Sequence, residues 1–435
     1  MTAIPVFRSR CSVLLVLVFV LIASGGCAGS AGPARVSILG SWSGAEEEQF
    51  RRVLETFEQQ NGVQVDYIGS AAVVQVLQAG MQKGTPPDIA ILPNLGDVAR
   101  YRGELTPLDA SIVGEYSRQW QELAKAGMGH LYAVPVQANL KGLVWFNREH
   151  PPPQEPRTFE ELTALGRGIA ASGATPWCLG VASQSTSGWP GTDWIESILL
   201  RQSGMDAYEQ WAAGRLPWTS PQVRQAWTTW GQVVTEPGQV RGGSTAALHT
   251  EFGDAARPMF ADEPGCLMEH QASFISGFYS GYDETLQRGT DFDYFPFPPF
   301  GGAHADTTGD PREVSADLAG VVNNTPQARE LIRFLVSAEA QRLWSEANAF
   351  SASSAVPAAE HDDPVGKRIA AELAGAAPLC YDASDLMPAA MRGAFYRAVL
   401  EYLSDPARLD ILLGELDQVR SGIPPEHWLT VACER

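Results

Sequence analysis

The alternation of strand and helix patterns between Val36 and Leu92 constrains this 435-residue chain more than any other feature of its sequence. Val36 to Gly40 reads as a short strand. Ser43-Gly44-Ala45-Glu46 then has the S-x-x-E spacing of a capping box, in which a hydroxyl and a carboxylate each take a backbone N–H left free at a helix start. Phe50, Val53, Leu54 and Phe57 follow at i, i+3, i+4 and i+7, which makes one buried stripe, and Asn61-Gly62 ends the helix. Val63 to Ile68 predicts a second strand and the stretch around Val73 to Met81 a second helix. Asp88 to Leu92 predicts a strand covered on both faces. Strand, helix, strand, helix, strand gives a parallel open sheet, and such sheets take ligands at the carboxyl ends of their strands.

Further along, Tyr132 to Pro135 and Leu143 to Phe146 read as strands and Pro151 to Pro153 as a break. Thr158-Phe159-Glu160-Glu161 is a second capping box, with the stripe Leu162, Leu165 and Ile169 behind it, and here a second alternating α/β unit begins. It carries a Trp-rich insert from Trp177 to Trp230, in which Ser220-Pro221 marks a helix start. Asp317 to Val322 predicts a buried strand, Thr325-Pro326 opens another helix, and two helices around Ala389 to Leu403 and Leu409 to Val419 close the chain. The length suffices for two packed domains.

Arg8 and Arg10 precede an apolar run from Val13 to Ala23, about 16 Å of helix, which is too short to span a bilayer and has the flanks of an export signal. Ser24, Gly25 and Gly26 directly before Cys27 resemble a bacterial lipobox, which implies that residues 1–26 are removed and Cys27 is acylated, with 27–35 as a flexible tether. Cys178, Cys266, Cys380 and Cys433 then remain in an oxidising compartment. They suggest two disulfides, and three connectivities are open. None has the spacing of a zinc or redox site, and no metal or cofactor is expected. A formal net charge of −19 without basic blocks argues against a nucleic-acid partner.

Motifs for chemistry are largely absent. Gly40-Ser41-Trp42-Ser43-Gly44 looks like a nucleophile elbow, but Trp42 occupies the nucleophile position. No glycine-rich phosphate loop follows a strand. What the sequence does supply is aromatic and polar chemistry at strand ends: Trp42 and Glu46 after the first strand, Asn94 after the third, and Trp189, Asp193, Trp194 and Glu196 around one helix start. An indole covers the apolar face of a pyranose while carboxylates and amides fix its hydroxyls, so these residue types suit a neutral sugar. Each also has a structural role open to it. Glu46 fits a capping-box partner of Ser43, Asp193 a helix cap, and Trp145, Trp194, Trp227, Trp230 and Trp344 the core.

The run VSILGSWSGAEEEQF, followed by PPDIAILPNLG, LYAVPVQANLKGLVWFN, TPWCLG, GWPGTDWIE, MEHQASFI and YDASDLMP, resembles the family 1 extracellular solute-binding proteins of bacterial sugar ABC importers. It is most similar to the alpha-glucoside-binding branch and more distantly to the maltose-binding proteins, over nearly all of the chain from Val36 to Val419. The resemblance implies an α/β fold of the periplasmic-binding-protein type, two-lobed, with a hinge and an interlobe ligand cleft that closes on sugar. It places lobe 1 at 36–140 plus 290–350 and lobe 2 at 141–289 plus 351–435, with crossings at LKGLVWFN and near Phe295.

By the same resemblance, Trp42, Glu46, Asn94, Trp189, Asp193, His270, Gln271 and Asp385 would contact the sugar, although Asp385 also fits a helix cap and His270 a core position. The pairs Cys178–Cys266 and Cys380–Cys433 are implied as disulfides. The implied activity is capture of an alpha-glucoside or oligosaccharide by a monomeric lipoprotein, which delivers it to a membrane permease driven by a separate ATPase and performs no chemistry itself. A secreted glycoside hydrolase and a surface glycan sensor without transport are the alternatives to be tested.

Overall fold

The structure, a computed structural model, describes residues 34–301, 310–346 and 349–434. The export segment, Cys27 and residues 28–33 of the tether lie outside these, and the chain is in strand from Ala34.

The N-terminal alternation forms as the pattern predicts: β1 (Ala34–Gly40), α1 (Ala45–Asn61), β2 (Val63–Gly69), α2 (Val73–Lys83) and β3 (Ile89–Leu92). β1 lies between β2 and β3 and runs parallel to both. The start of α1 differs in detail. Gly44, at φ 59°, occupies the cap position and no side chain caps the helix, so the Ser43–Glu46 box does not form. The glycine's left-handed backbone turns the chain one residue later than the box requires, which leaves the Glu46 carboxyl free for other contacts. Gly62, also left-handed, ends the helix by donating its N–H to the Glu58 carbonyl.

After α3 (Leu95–Arg100) and α4 (Arg118–Lys125), β4 (Ala133–Leu140) leads straight into β5 (Leu143–Asn147). β4 is longer than its sequence pattern because it pairs antiparallel with β8 (Arg312–Val321) along its length, with a bulge between Pro135 and Gln137. The larger sheet has the order β10 (Cys433–Glu434), β9 (Leu379–Tyr381), β8, β3, β1, β2, with β4 on the other side of β8. It is parallel among β1, β2 and β3 and between β8 and β9, and antiparallel elsewhere.

The second unit is not a parallel α/β repeat. Its sheet is three antiparallel strands, β6 (Met268–Gln271), β5 and β7 (Phe292–Pro296), among the helices α5 (Phe159–Ala171), α6 (Trp189–Ala212), α7 (Pro221–Val234), α8 (Gly243–Ala247) and α9 (Ile275–Tyr282). Four helices, α10 (Pro326–Leu335), α11 (Ala338–Glu346), α12 (Pro364–Leu373) and α13 (Ala383–Leu386), follow β8, before α14 (Ala389–Ser404) and α15 (Leu409–Gly422). α14 packs on α6, where Trp227 and Trp230 of α7 meet Tyr402 at ring distances of 5.3 and 5.6 Å. Trp194, Trp227 and Trp230 of the Trp-rich insert are core, and so are Trp145 and Trp344 outside it, as their spacing predicts.

Two bodies result, one on the larger sheet and one around the smaller sheet with α14 and α15. The chain passes between them at Lys141–Gly142, between the end of β7 at Pro296 and the start of β8 at Arg312, through 382–388 and through 423–432. β9 and β10, from the stretch 351–435 that the resemblance assigns to lobe 2, pair in the larger sheet. Both disulfides have the implied pairing. Cys178–Cys266 lies beside β6, and Cys380–Cys433 joins directly opposed residues of β9 and β10.

Candidate functional site

Where β4 crosses into β5, Lys141 is 8% exposed and sits between carboxylates of both neighbouring elements. Its Nζ is 2.7 Å from Asp193 Oδ2 on α6 and 2.6 Å from Asp382 Oδ2 at the end of β9. Burial alone would push the ammonium toward deprotonation, but Asp193 and Asp382 reverse this and hold it charged well above the usual lysine range. The Asp193 carboxyl is pushed up to about 7 by burial, against the pull of Lys141. Asp193 is not a cap. α6 begins at Trp189, with Gly188 in the cap position, so Asp193 projects from the helix's second turn.

Asp382 caps α13, its Oδ1 accepting the Asp385 N–H at 3.0 Å and the Ser384 hydroxyl at 2.8 Å. Asp385 is therefore free of the capping role and lies half-buried among Asp382, Lys141 and Arg392, where burial and the Asp382 charge drive its carboxyl well upward. Glu196, one turn beyond Asp193, accepts the Ala383 N–H at 2.7 Å and anchors α13 to α6. Glu196, Glu313 and Asp382 bring carboxyl oxygens within 4.8 Å of one another and are the residues that could hold a metal ion, although the Lys141 ammonium already lies against Asp382.

Beside this cluster stands an aromatic wall. Trp189, partly exposed as the first residue of α6, has Lys141 Nζ 5.6 Å from its ring and Phe252 and Phe274 edge-on or tilted at 5.0 and 5.9 Å. Tyr396 of α14 lies over Gly188, where a Cβ would come within 2.3 Å of the Tyr396 carbonyl, so only glycine admits this approach. Burial keeps the Tyr396 hydroxyl protonated beside Arg392 and Asp385.

The facing wall comes from the larger sheet. Glu46, in the first turn of α1, is pushed up to about 8 by burial and by Asp317 of β8. Asp317, which accepts the Ser41 hydroxyl at 3.4 Å, is pushed up to about 7 by burial. Both are acids held near neutrality, able to donate as well as accept. Asn94 caps α3 by accepting the Asp97 N–H at 2.8 Å, and its Oδ1 also accepts from Arg392 Nη1 of α14 at 2.6 Å.

The residues singled out from the sequence thus separate into groups. Trp189, Asp193 and Asp385 surround Lys141, Glu46 faces Asp317, and Asn94 joins Arg392. Trp42 is 3% exposed, packed on Phe50 and Trp344 at 4.8 and 4.9 Å within the larger body. His270 is buried against Trp194 with ring centroids 4.3 Å apart, has no hydrogen-bond partner on either nitrogen among the described residues, and is held neutral, its value lowered to about 3 by burial and by Lys141. Gln271 spends its Oε1 on the Ala272 N–H.

Lys141, Asp317, Asp382, Arg392 and Tyr396 were not singled out. A lone lysine between two apolar strands was the one available signal, since a cation there must find buried partners. The arrangement offers neutral and charged hydrogen-bonding groups between aromatic faces, which is recognition chemistry for a polyhydroxylated ligand.

Residues 41–342 match the family described as bacterial extracellular solute-binding protein. The chain is 33% identical over 396 residues to the alpha-glucosides-binding periplasmic protein AglE of Rhizobium meliloti (strain 1021), a match covering 87% of this chain and 85% of that protein. It is 32% identical over 386 residues to the osmoprotective compounds-binding protein GgtB of Synechocystis sp. (strain ATCC 27184 / PCC 6803 / Kazusa), covering 85% and 88%. The two-lobed fold is shared with a chitin oligosaccharide binding protein at a TM-score of 0.74 and 19% identity, over 90% of this chain and 98% of that one. It is shared also with RafE in complex with raffinose, at 0.70 and 13%, over 89% and 99%.

Proposed function

Because the chain belongs to the family of bacterial extracellular solute-binding proteins, we propose that it captures a neutral alpha-glucoside or oligosaccharide between its two bodies and delivers it to the permease of an ABC importer powered by a separate ATPase. The observation that carries this reading is the Lys141 cluster. One ammonium with Asp193, Asp382 and Asp385, walled by Trp189 and Tyr396, faces a second body that presents Glu46 and Asp317 as near-neutral acids. Relatives named for alpha-glucosides and for osmoprotective compounds support a small polyhydroxylated ligand. In this reading Trp189, Asp193, Asp385, Glu46 and Asn94 contact or orient the sugar, and Trp42, His270 and Gln271 shape the walls behind it.

Closure on the sugar follows because only the closed state offers both walls at once, so the ligand's differential affinity shifts the population. The protein acts as a monomer, anchored by acylated Cys27 after loss of residues 1–26, and catalyses nothing. Among the described residues no helix is long and apolar enough to cross a membrane. A thermal-shift panel of maltose, trehalose and longer glucans tests the reading: a bound sugar at about 100 times its dissociation constant adds about 2.7 kcal/mol. No shift with any of them, or release of glucose during incubation, overturns it.

A further inference from the structure

We propose that residues 423–432 form a tether that limits how far the two bodies can part, a property that rests on the hinged reading above. The segment leaves α15, which is fixed to the smaller-sheet body: Asp417 accepts the Trp218 and Thr219 N–H groups at 2.8 and 3.0 Å, and Arg420 donates to the Gly214 carbonyl at 3.0 Å. Trp428 is then seated on the same body. Its indole lies so close over Gly214, at φ 69°, that a Cβ there would fall 2.5 Å from the ring.

Two residues later the segment is held by the other body. Thr430 lies over Gly127, where a Cβ would come within 2.5 Å of its Oγ1, and the Ala432 carbonyl accepts the Tyr381 N–H at 2.7 Å. Cys433 is bonded to Cys380, and Gln119 of α4 donates to the Ala377 carbonyl at 3.1 Å beside it. From Trp428 to Thr430 an extended chain reaches about 7 Å, so no slack separates the two attachments. The bodies can move apart there only if Trp428 leaves Gly214 or the hold of the other body on Thr430 to Cys433 gives way, and the disulfide blocks full release at that end.

Beneath the segment lies a cavity of about 620 Å³, lined by Gly96 and Arg100 of α3 from one body, by Ala389 of α14 from the other, and by Met128 and Trp428. This is the gap that relative motion would open or close, and the tether runs along it.

The test places spin labels on the exposed positions Glu55→Cys of α1 and Thr228→Cys of α7 and measures their distance distribution in the sugar-free full chain. Two variants release the tether at opposite ends: Trp428→Ala, which keeps the disulfide, and Cys380→Ser with Cys433→Ser. Both are expected to shift the distribution to longer distance. An unchanged distribution in folded Trp428→Ala overturns the tether, whatever that variant loses in melting temperature. Because the measurement uses no sugar, its failure is distinct from failure of the sugar reading, which shows in the thermal-shift panel.

Discussion

Arg392 of α14 reaches across to Asp97 of α3 and holds it by a buried ion pair, Nη2 to Oδ2 at 2.6 Å, while its other nitrogen takes Asn94. The two helices belong to different bodies, so this pair is a charged contact between them. Asp97 is fully buried and, among the described residues, its Oδ1 has no partner, so its Oδ2, which takes Arg392 and the Asn94 amide at 2.7 Å, carries its compensation.

Removing Arg392 should therefore strand a buried carboxylate. Arg392→Met is expected to destabilise the protein by about 3–5 kcal/mol, since breaking one side of a buried pair costs more than the pair contributes. Urea unfolding measures it. The double variant Arg392→Met with Asp97→Asn should recover part of the loss, and a double variant as unstable as the single would show that the pair's charge is not the cause.

Trp189→Ala should weaken sugar binding by about 1 kcal/mol or more, through lost stacking and burial at the aromatic wall. Calorimetry with the best sugar of the panel measures it. Unchanged affinity would confine Trp189 to its packing role against Phe252 and Phe274.

Glu46 provides a pH signature. Its carboxyl is raised from 4.5 to about 8 in the folded chain, chiefly by burial, so across that window the native state holds a proton that the unfolded state has released. Its contribution to stability is complete below pH 4.5 and falls as pH rises toward 8. Glu46→Gln, which cannot ionise, should match wild type near pH 4 and gain on it steadily from about pH 4.5 to pH 8. Parallel unfolding curves at every pH would remove Glu46 as the source.

The two disulfides close separations of 88 and 53 residues, for which chain entropy gives about 4 kcal/mol each as an upper figure. Cys178→Ser with Cys266→Ser should lower the urea midpoint without altering the spin-label distance, whereas the Cys380–Cys433 pair should alter both.

The N-terminal sheet was legible because β1 to β3 alternate with helices whose apolar stripes are long and regular. The full length of β4 was not: its pattern ends at Pro135, yet pairing with β8 carries the strand to Leu140 and buries Gln137 and Asn139. The capping box at Ser43 was a correct spacing defeated by one left-handed glycine. Of the residues around Lys141, Trp189 and Asp193 stood out because aromatic and acidic residues cluster at a predicted helix start, while Asp385 came only with the family resemblance. Arg392 and Asp317 did not stand out, since their meaning comes from partners that lie, for Arg392 and Asp97, 295 residues away in the chain. Local pattern carries no record of such encounters.

β8 links the two walls mechanically. It carries Glu313 in the carboxyl cluster behind Lys141 and Asp317 on the wall of the larger sheet, both on one side of the strand and about 13 Å apart. On one edge β9 pairs with residues 312–314 and β3 with residues 318–321, so between Glu313 and Asp317 the ladder that holds the strand is the one to β4. A displacement at the crossing therefore reaches Asp317 through that one ladder, and the stiffness of the β4–β8 pair sets how the two carboxylates move together.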